Sequence, residues 1–272
     1  MTADLPALDA ATLQHSLAPG SIWRQIDVVP ETGSTNADLV ARAQAGENID
    51  GVVLITENQT AGRGRQGRSW VAVPRSQILM SIGVGAEDVP TESWGLLSLA
   101  TGVAVVEAVA EVTGVQAALK WPNDVLVGTG KLAGILADVA VPTSSHHLPT
   151  IVVGIGLNVS MTTAGLPDPA AVSLVSLGVA QPDRQHLAAV LLNRLERRIT
   201  DWRAHGGATL LASYRALSCT LGQSVRAELP GGREVVGQAA DIDGSGALVI
   251  DSEAGVVLVS AGDVVHLRPA GG

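Results

Sequence analysis

The sequence predicts an α+β fold: a mixed β-sheet with packed helices, followed by a small all-β domain. Three observations predict it. The 272 residues are enough for one large domain and one small one. Across residues 21–217, short apolar runs are interleaved with two long helical stripes. From Ser218 onward the long stripes stop, and short runs take over with turn signals roughly every eight to twelve residues, the spacing of a small barrel. Hydrophobic residues make up 46% of the chain and charged residues 16%, which allows a sizeable core and excludes global disorder. Phe is absent and Tyr occurs once, so Val, Leu, Ile and Ala must fill that core.

Residues 1–20 hold few strong apolar positions and read as a short, partly ordered arm. Residues 22–29 alternate weakly, as a strand does. Ser34 or Thr35 is a good N-cap for a helix over residues 36–44, with Leu39, Val40 and Ala43 inward and Gly46 closing it. Val52–Thr56 is a continuous apolar strand, and residues 77–84 form the next one. Trp94, Leu97, Thr101, Val105 and Ala108 make one spaced stripe, widened by Leu96, Leu99, Val103 and Val106. That pattern is a largely buried helix over residues 93–112.

Residues 117–120, Asp124–Val127, 132–139 and Thr150–Asn158 read as strands, with Gly128-Thr129-Gly130 a tight turn. Residues 142–149 read as a surface loop. Asp183 can cap a long amphipathic helix reaching His205, with Leu187, Leu191, Leu195, Ile199 and Trp202 buried and Gly206-Gly207 ending it. A last short helix covers residues 208–216. The closing runs are residues 225–229, 235–242, 247–251, 256–260 and 264–267. Pro230-Gly231-Gly232, Gly244-Ser245-Gly246 and Ala261-Gly262-Asp263 stand among their turns.

Composition narrows the function classes. The net charge of -9 argues against general nucleic-acid affinity, which needs a basic face. The single cysteine, Cys219, excludes an intramolecular disulfide, points to a reducing compartment and reads as a small, at least partly buried thiol. There is no charged-then-apolar N-terminal signal, and no uncharged apolar run reaches the roughly 18 residues of a membrane span. The chain therefore reads as cytoplasmic and without a membrane partner. Adjacent His146 and His147 point in different directions with no third ligand evident, so they do not read as a metal site.

Against this acidic background, Gly62-Arg63-Gly64-Arg65-Gln66-Gly67-Arg68-Ser69-Trp70 stands out. Its three glycines let the backbone approach a ligand or take positive φ. Its three arginines offer planar, permanently charged forks for carboxylate and phosphate. The stretch lacks the Walker A order. It fits G-x-G-x-x-G only formally, because charged residues and Trp70 follow where an apolar helix should begin. It reads as a mobile anion-binding loop.

Upstream lies Glu31-Thr32-Gly33-Ser34-Thr35-Asn36. Downstream lie Lys120-Trp121-Pro122-Asn123-Asp124 and Lys131-Leu132-Ala133-Gly134-Ile135-Leu136. With the arginine loop, these stretches in this order resemble the biotin–protein ligases, from about Ile22 to the end of the small domain. The resemblance implies a class II synthetase-like ligase domain over residues 21–217 and an SH3-like barrel over residues 218–268. It implies two steps: biotin and ATP give biotinyl-5′-AMP and pyrophosphate, and a lysine of an acceptor protein then takes the biotin. It implies Mg²⁺ alongside the two substrates. The implied acceptor is a biotin carboxyl carrier protein or domain of acyl-CoA or pyruvate carboxylases. Repressor-type members carry a winged helix-turn-helix ahead of the ligase domain. The residues before Ile22 are too few for it, so the resemblance implies the monofunctional type and no specific DNA binding. A lipoate or octanoate ligase of the same fold and a biotin-binding regulator are the alternatives.

The same resemblance assigns roles. Ser34, Thr35 and Asn36 match the biotin-binding S-T-N, with Thr35 and Gln59 on the ureido head. Gly62, Arg63, Gly64, Arg65 and Gly67 match the biotin-binding loop, with Arg63 and Arg65 near the carboxylate and phosphate. Arg68 and Trp70 match the adenylate side, Trp70 as a wall that also touches biotin. Lys131 matches the lysine that bridges carboxylate and α-phosphate and is, with Arg65, the implied catalytic residue. Gly134 and Gly156 would let the strands approach biotin. Lys120, Asn123 and Asn158 match adenylate contacts, and Asp124 is a candidate Mg²⁺ ligand.

Overall fold

A computed structural model describes residues 5–87, 89–141, 150–229, 232–260 and 262–267. The expected loop at 142–149, with its two histidines, and parts of the turns at 230–232 and 261–263 lie outside these residues.

Seven strands form one mixed sheet: β1 (Gln25–Val29), β2 (Val52–Thr56), β3 (Gln77–Gly85), β4 (Ala118–Lys120), β5 (Asp124–Val127), β6 (Gly130–Ala140) and β7 (Thr150–Asn158). Their order is β1-β2-β3-β7-β6-β5-β4. Only the β1–β2 pair is parallel. The central strands read as continuous apolar runs because helices cover both faces of the sheet. On one face, Ile78, Met80 and Ile82 of β3 and Ile151, Val153, Ile155 and Leu157 of β7 join the main core with α3 (Leu96–Thr113) and α4 (Arg184–His205). On the other, Val52, Leu54, Ala140 and Val152 pack on Leu39 and Ala43 of α2 (Thr35–Gln44). Successive strand side chains point to opposite faces, so one sequence serves both cores.

The stretch Thr91–Thr113 is long and apolar enough to cross a membrane, although it carries charged residues. Its helix α3 is buried along most of its length against the sheet and α4, which makes it a core helix. Gly114, at φ 72°, closes it with a backbone N–H to Ala110 O. Ion pairs Arg198–Glu107 and Arg194–Glu111 tie α4 to α3 along their outer edge.

The N-terminal arm differs from the sequence reading. Within the described residues it is docked, with Leu8 and Leu13 buried. Asp9 accepts from Thr12 N at 2.7 Å and caps α1 (Ala10–His15), which lies against α4. Two well-placed leucines and backbone hydrogen bonds to Glu57 and Gln185 hold the segment, although its apolar count is low.

After α4, α5 (Ala208–Leu217) leads into an antiparallel sheet of β8 (Ser224–Leu229), β9 (Arg233–Ile242), β10 (Leu248–Ser252), β11 (Gly255–Val259) and β12 (Asp263–His266). The order is β11-β10-β9-β8-β12. Val225, Ala227, Ala239, Ile242, Leu248, Ile250, Val259 and Val264 fill its inner face. It joins the first unit through Trp121 Nε1 donating to Gly246 O at 3.0 Å and through Arg215 Nε on Asp241 at 2.6 Å. These contacts bring the β12 edge to the arginine loop.

Candidate active site

A cavity of about 490 Å³ opens between the sheet, the arginine loop and the start of β12. Ser34, Thr35, Asn36, Gln59, Arg63, Gly64, Arg65, Arg68, Trp70, Lys120, Asn123, Asp124, Lys131, Gly134, Gly156 and Asn158 all line it. Of the residues that the resemblance assigns to the site, Gly62 and Gly67 are the two that do not.

Those two glycines shape the loop instead. A Cβ on Gly62 would fall 2.4 Å from Trp70 O, so the loop's stems could not close. Gly67 follows Gln66 in the left-handed region, at φ 74° after φ 55°, and this reverses the chain. Gly64 N donates to Arg68 O at 2.7 Å, and Trp70 N donates to Gly62 O at 2.9 Å.

The floor is the cross-strand pair Gly134 and Gly156. The room above these glycines is filled by Trp70: a Cβ would stand 2.9 Å from its ring at Gly134 and 2.4 Å at Gly156. The indole lies on the sheet as part of the floor, and its buried Nε1 has no hydrogen-bond partner among the described residues. Lys131 Nζ lies 5.6 Å from the centroid of the ring, within cation–π range.

Cations surround this floor. Lys131 Nζ is 2.7 Å from Asp124 Oδ1. Asn123 Oδ1 accepts from Arg65 Nη1 at 3.2 Å, and Gly262 O accepts from Arg65 Nη2 at 3.2 Å. Burial pushes the Arg65 guanidinium down from its usual range, opposed by the Asp263 carboxylate 4.0 Å away. Arg68 grips Asp263 with two bonds of 2.7 and 2.8 Å. Arg63 is exposed, with no ion-pair or hydrogen-bond partner for its side chain among the described residues.

Two of the residues given site roles in the sequence have protein partners. Asp124, the candidate Mg²⁺ ligand, is engaged by Lys131, and among the described residues no three His, Cys, Asp or Glu side chains gather to hold a metal. Asn158 is saturated: Nδ2 donates to Val172 O and Lys131 O, and Oδ1 accepts from Gln77. Its amide fixes the Lys131 strand and has no donor left for a ligand.

At the far end, Ser34 caps α2 while Thr35 N donates to Gln59 Oε1 at 3.0 Å. Ser81 and Asp138, overlooked in the sequence, complete this end by contacting Thr35 and Asn36. Each is a lone polar residue in an otherwise apolar strand run, and that signal is legible. Gly262 and Asp263 had no such signal, because the second sheet delivers them.

Asp263 neutralises Arg68 and part of Arg65, so it holds the loop down from across the domain junction. Asp263→Ala should raise the rate of tryptic cleavage after Arg65 and Arg68 by about tenfold, the scale of one charge-assisted hydrogen-bond pair. Cleavage at the wild-type rate, followed by mass spectrometry, would refute this latch.

The fold and these motifs define a class. Residues 29–158 match the family model described as the biotin/lipoate A/B protein ligase family, and residues 220–267 match that of the biotin protein ligase C-terminal domain. The chain belongs to the biotin/lipoate A/B protein ligase family, and within it to the biotin–protein ligases. It is 55% identical to the biotin–[acetyl-CoA-carboxylase] ligase of Mycobacterium tuberculosis, over 97% of each chain. It is 30% identical to the bifunctional ligase/repressor BirA of Bacillus subtilis, over 88% of this chain and 72% of that one. Its fold is that of the Aquifex aeolicus biotin protein ligase solved with biotin and ATP. The TM-score is 0.75 at 24% identity, covering 90% of this chain and 99% of that one. The Leishmania major biotin protein ligase in complex with biotinyl-5-AMP matches with a TM-score of 0.59 at 25% identity, over 88% of this chain and 99% of that one.

Proposed function

We propose that this chain activates biotin with ATP and transfers it to a lysine of a biotin carboxyl carrier domain. The observation that carries the reading is the single cavity in which Lys131, Arg63, Arg65, Arg68 and Lys120 converge over a sheet floor, in a chain 55% identical to a biotin–[acetyl-CoA-carboxylase] ligase.

In the first step a biotin carboxylate oxygen attacks the α-phosphorus of ATP, and pyrophosphate leaves with the electron pair of the broken P–O bond. Two anions must meet, so pre-positioned cations lower the barrier. Lys131 neutralises the carboxylate and α-phosphate, and Arg65 holds the phosphate. Arg63, whose side chain has no partner among the described residues, is available to the same anions. Arg68, Lys120 and Asn123 face the adenylate, while Asn158 fixes the Lys131 strand. Thr35 and Gln59 take the ureido head, with Ser34 and Asn36 behind them. In the second step the acceptor's neutral amine attacks the acyl carbon and AMP leaves.

Mg²⁺ fits this chain as the counter-ion of the ATP phosphates. Asp124 stands on the site wall 2.7 Å from Lys131 Nζ, which already holds it. The acceptors we expect are carriers of acyl-CoA or pyruvate carboxylases, in the cytoplasm, with no specific DNA partner.

The test is incubation with labelled biotin, ATP and a carrier domain, with lipoate in a parallel arm. ATP-dependent labelling of one carrier lysine supports the proposal. Lipoate transfer without biotin transfer, or biotin binding without ATP turnover, would replace it.

A further inference from the structure

From the buried polar chain behind the ligand end of the cavity, we infer that Asp138 is a positioning residue: it orients the Thr35 hydroxyl, beside Gln59, through Asn36 and Ser81. The inference rests on the reading that Thr35 and Gln59 receive the ureido head of biotin.

Hydrogen-bond capacity fixes the direction of this chain. Asn36 Nδ2 donates to Asp138 Oδ2 at 2.8 Å and to Leu136 O at 3.1 Å. A carboxylate and a carbonyl can only accept, so the amide cannot flip without facing them with its own oxygen. Asn36 Oδ1 is therefore turned to Ser81, whose Oγ stands 2.6 Å away. That oxygen also can only accept, so the one Ser81 proton is committed to it. Thr35 Oγ1 lies on the other side of Ser81 Oγ, again at 2.6 Å. With the Ser81 proton used, Thr35 must be the donor in this contact. Its alternative acceptor, Gln59 Oε1, is farther, at 3.2 Å.

The consequences reach the cavity. Thr35 spends its proton inward and keeps its lone pairs for a ligand N–H. Gln59 Oε1 is pinned by the Thr35 backbone N–H at 3.0 Å. Its Nε2 donates to no described residue and is free for a ligand carbonyl. One acceptor beside one donor complements the N–H and C=O of a cyclic urea. Asn36, Thr35 and Ser81 are buried, so water does not substitute for a missing member. Asp138 itself is half-buried on β6 and its contacts are made away from any reacting atom. Gly154 confirms the tightness of the packing: a Cβ there would stand 2.1 Å from Asn36 Oδ1.

Asp138→Asn tests the idea, because an amide can donate as well as accept and no longer dictates the orientation of Asn36. The KM for biotin should rise about tenfold, while kcat at saturating biotin and the KM for ATP stay within about threefold of wild type. Ser81→Ala cuts the chain, so on that background Asp138→Asn should add less than about twofold to the biotin KM. A biotin KM within about twofold of wild type in Asp138→Asn would overturn the inference. So would equal losses in the two KM values, or additive effects in the double variant, since each signals a merely structural role. Absence of biotin activation by the wild-type enzyme would instead sink the reading on which the inference rests.

Discussion

Replacing Lys131 with alanine should lower biotinyl-adenylate formation by about 100-fold or more, the scale of losing a pre-positioned charge donor at a reacting oxyanion. The fold should survive. The backbone of Lys131 is fixed independently of its side chain, with Lys131 N donating to Ala170 O at 2.7 Å and Val172 N donating to Lys131 O at 2.9 Å. The side chain is 35% exposed to the cavity, so removing it empties no core. The effect is larger than the loss of one cation. Asp124, 2.7 Å from Nζ, would be left as an uncompensated negative charge where biotin carboxylate and α-phosphate must meet. Lys131→Ala, Asp124→Ala should therefore recover part of the lost rate. Pyrophosphate release in single turnover measures the step. A single variant within about tenfold of wild type would remove Lys131 from the reaction. A double variant no faster than the single would remove the argument about Asp124.

The elements of the fold were legible because their signals are local. Stripes, caps and glycine stops placed α2, α3 and α4 within a few residues, and Asp183 and Gly206 stand where the sequence put them. The arginine loop was legible as a cluster, but its attachment was not. Arg68 meets Asp263, 195 residues away, and no period in either segment announces that contact. Gly134 and Gly156 were legible as places of close approach. What approaches them is Trp70, and only the path of the loop decides that. Leu8 and Leu13 show the opposite error, in which a short polar segment was underrated because two leucines suffice when both are fully used. Asp138 was visible as a lone charge in an apolar run, yet its partner Asn36 lies 102 residues earlier.

Glu57→Ala should cost about 3–5 kcal/mol of stability, the range for removing one partner of a buried ion pair. Glu57 and Arg184 have side chains 6% and 5% exposed and meet at 2.6 Å. Arg184 opens α4. Its Nη1 also donates to Arg75 O at 2.5 Å and to Pro6 O, while Leu8 N donates to Glu57 Oε1 at 2.5 Å. One pair thus joins the arm, the helix and the strand exit that leads two residues later to Gln59. Without Glu57 the guanidinium remains buried beneath the arm with no counter-charge among the described residues, where its Nε already lacks a hydrogen-bond partner. Melting should fall by about 6–20 °C, taking roughly 2–4 °C per kcal/mol for a chain of this size. Glu57→Leu, Arg184→Met should recover much of this, because apolar side chains of similar volume leave no charge to solvate. Thermal melts of the three proteins decide the matter. A loss under about 1 kcal/mol in Glu57→Ala would show that the arm opens readily and water reaches Arg184. If the loss is as large as argued, the biotin KM of the double variant, measured below its melting transition, reports whether the pair also sets the position of Gln59. A KM equal to wild type would confine Glu57 and Arg184 to stability.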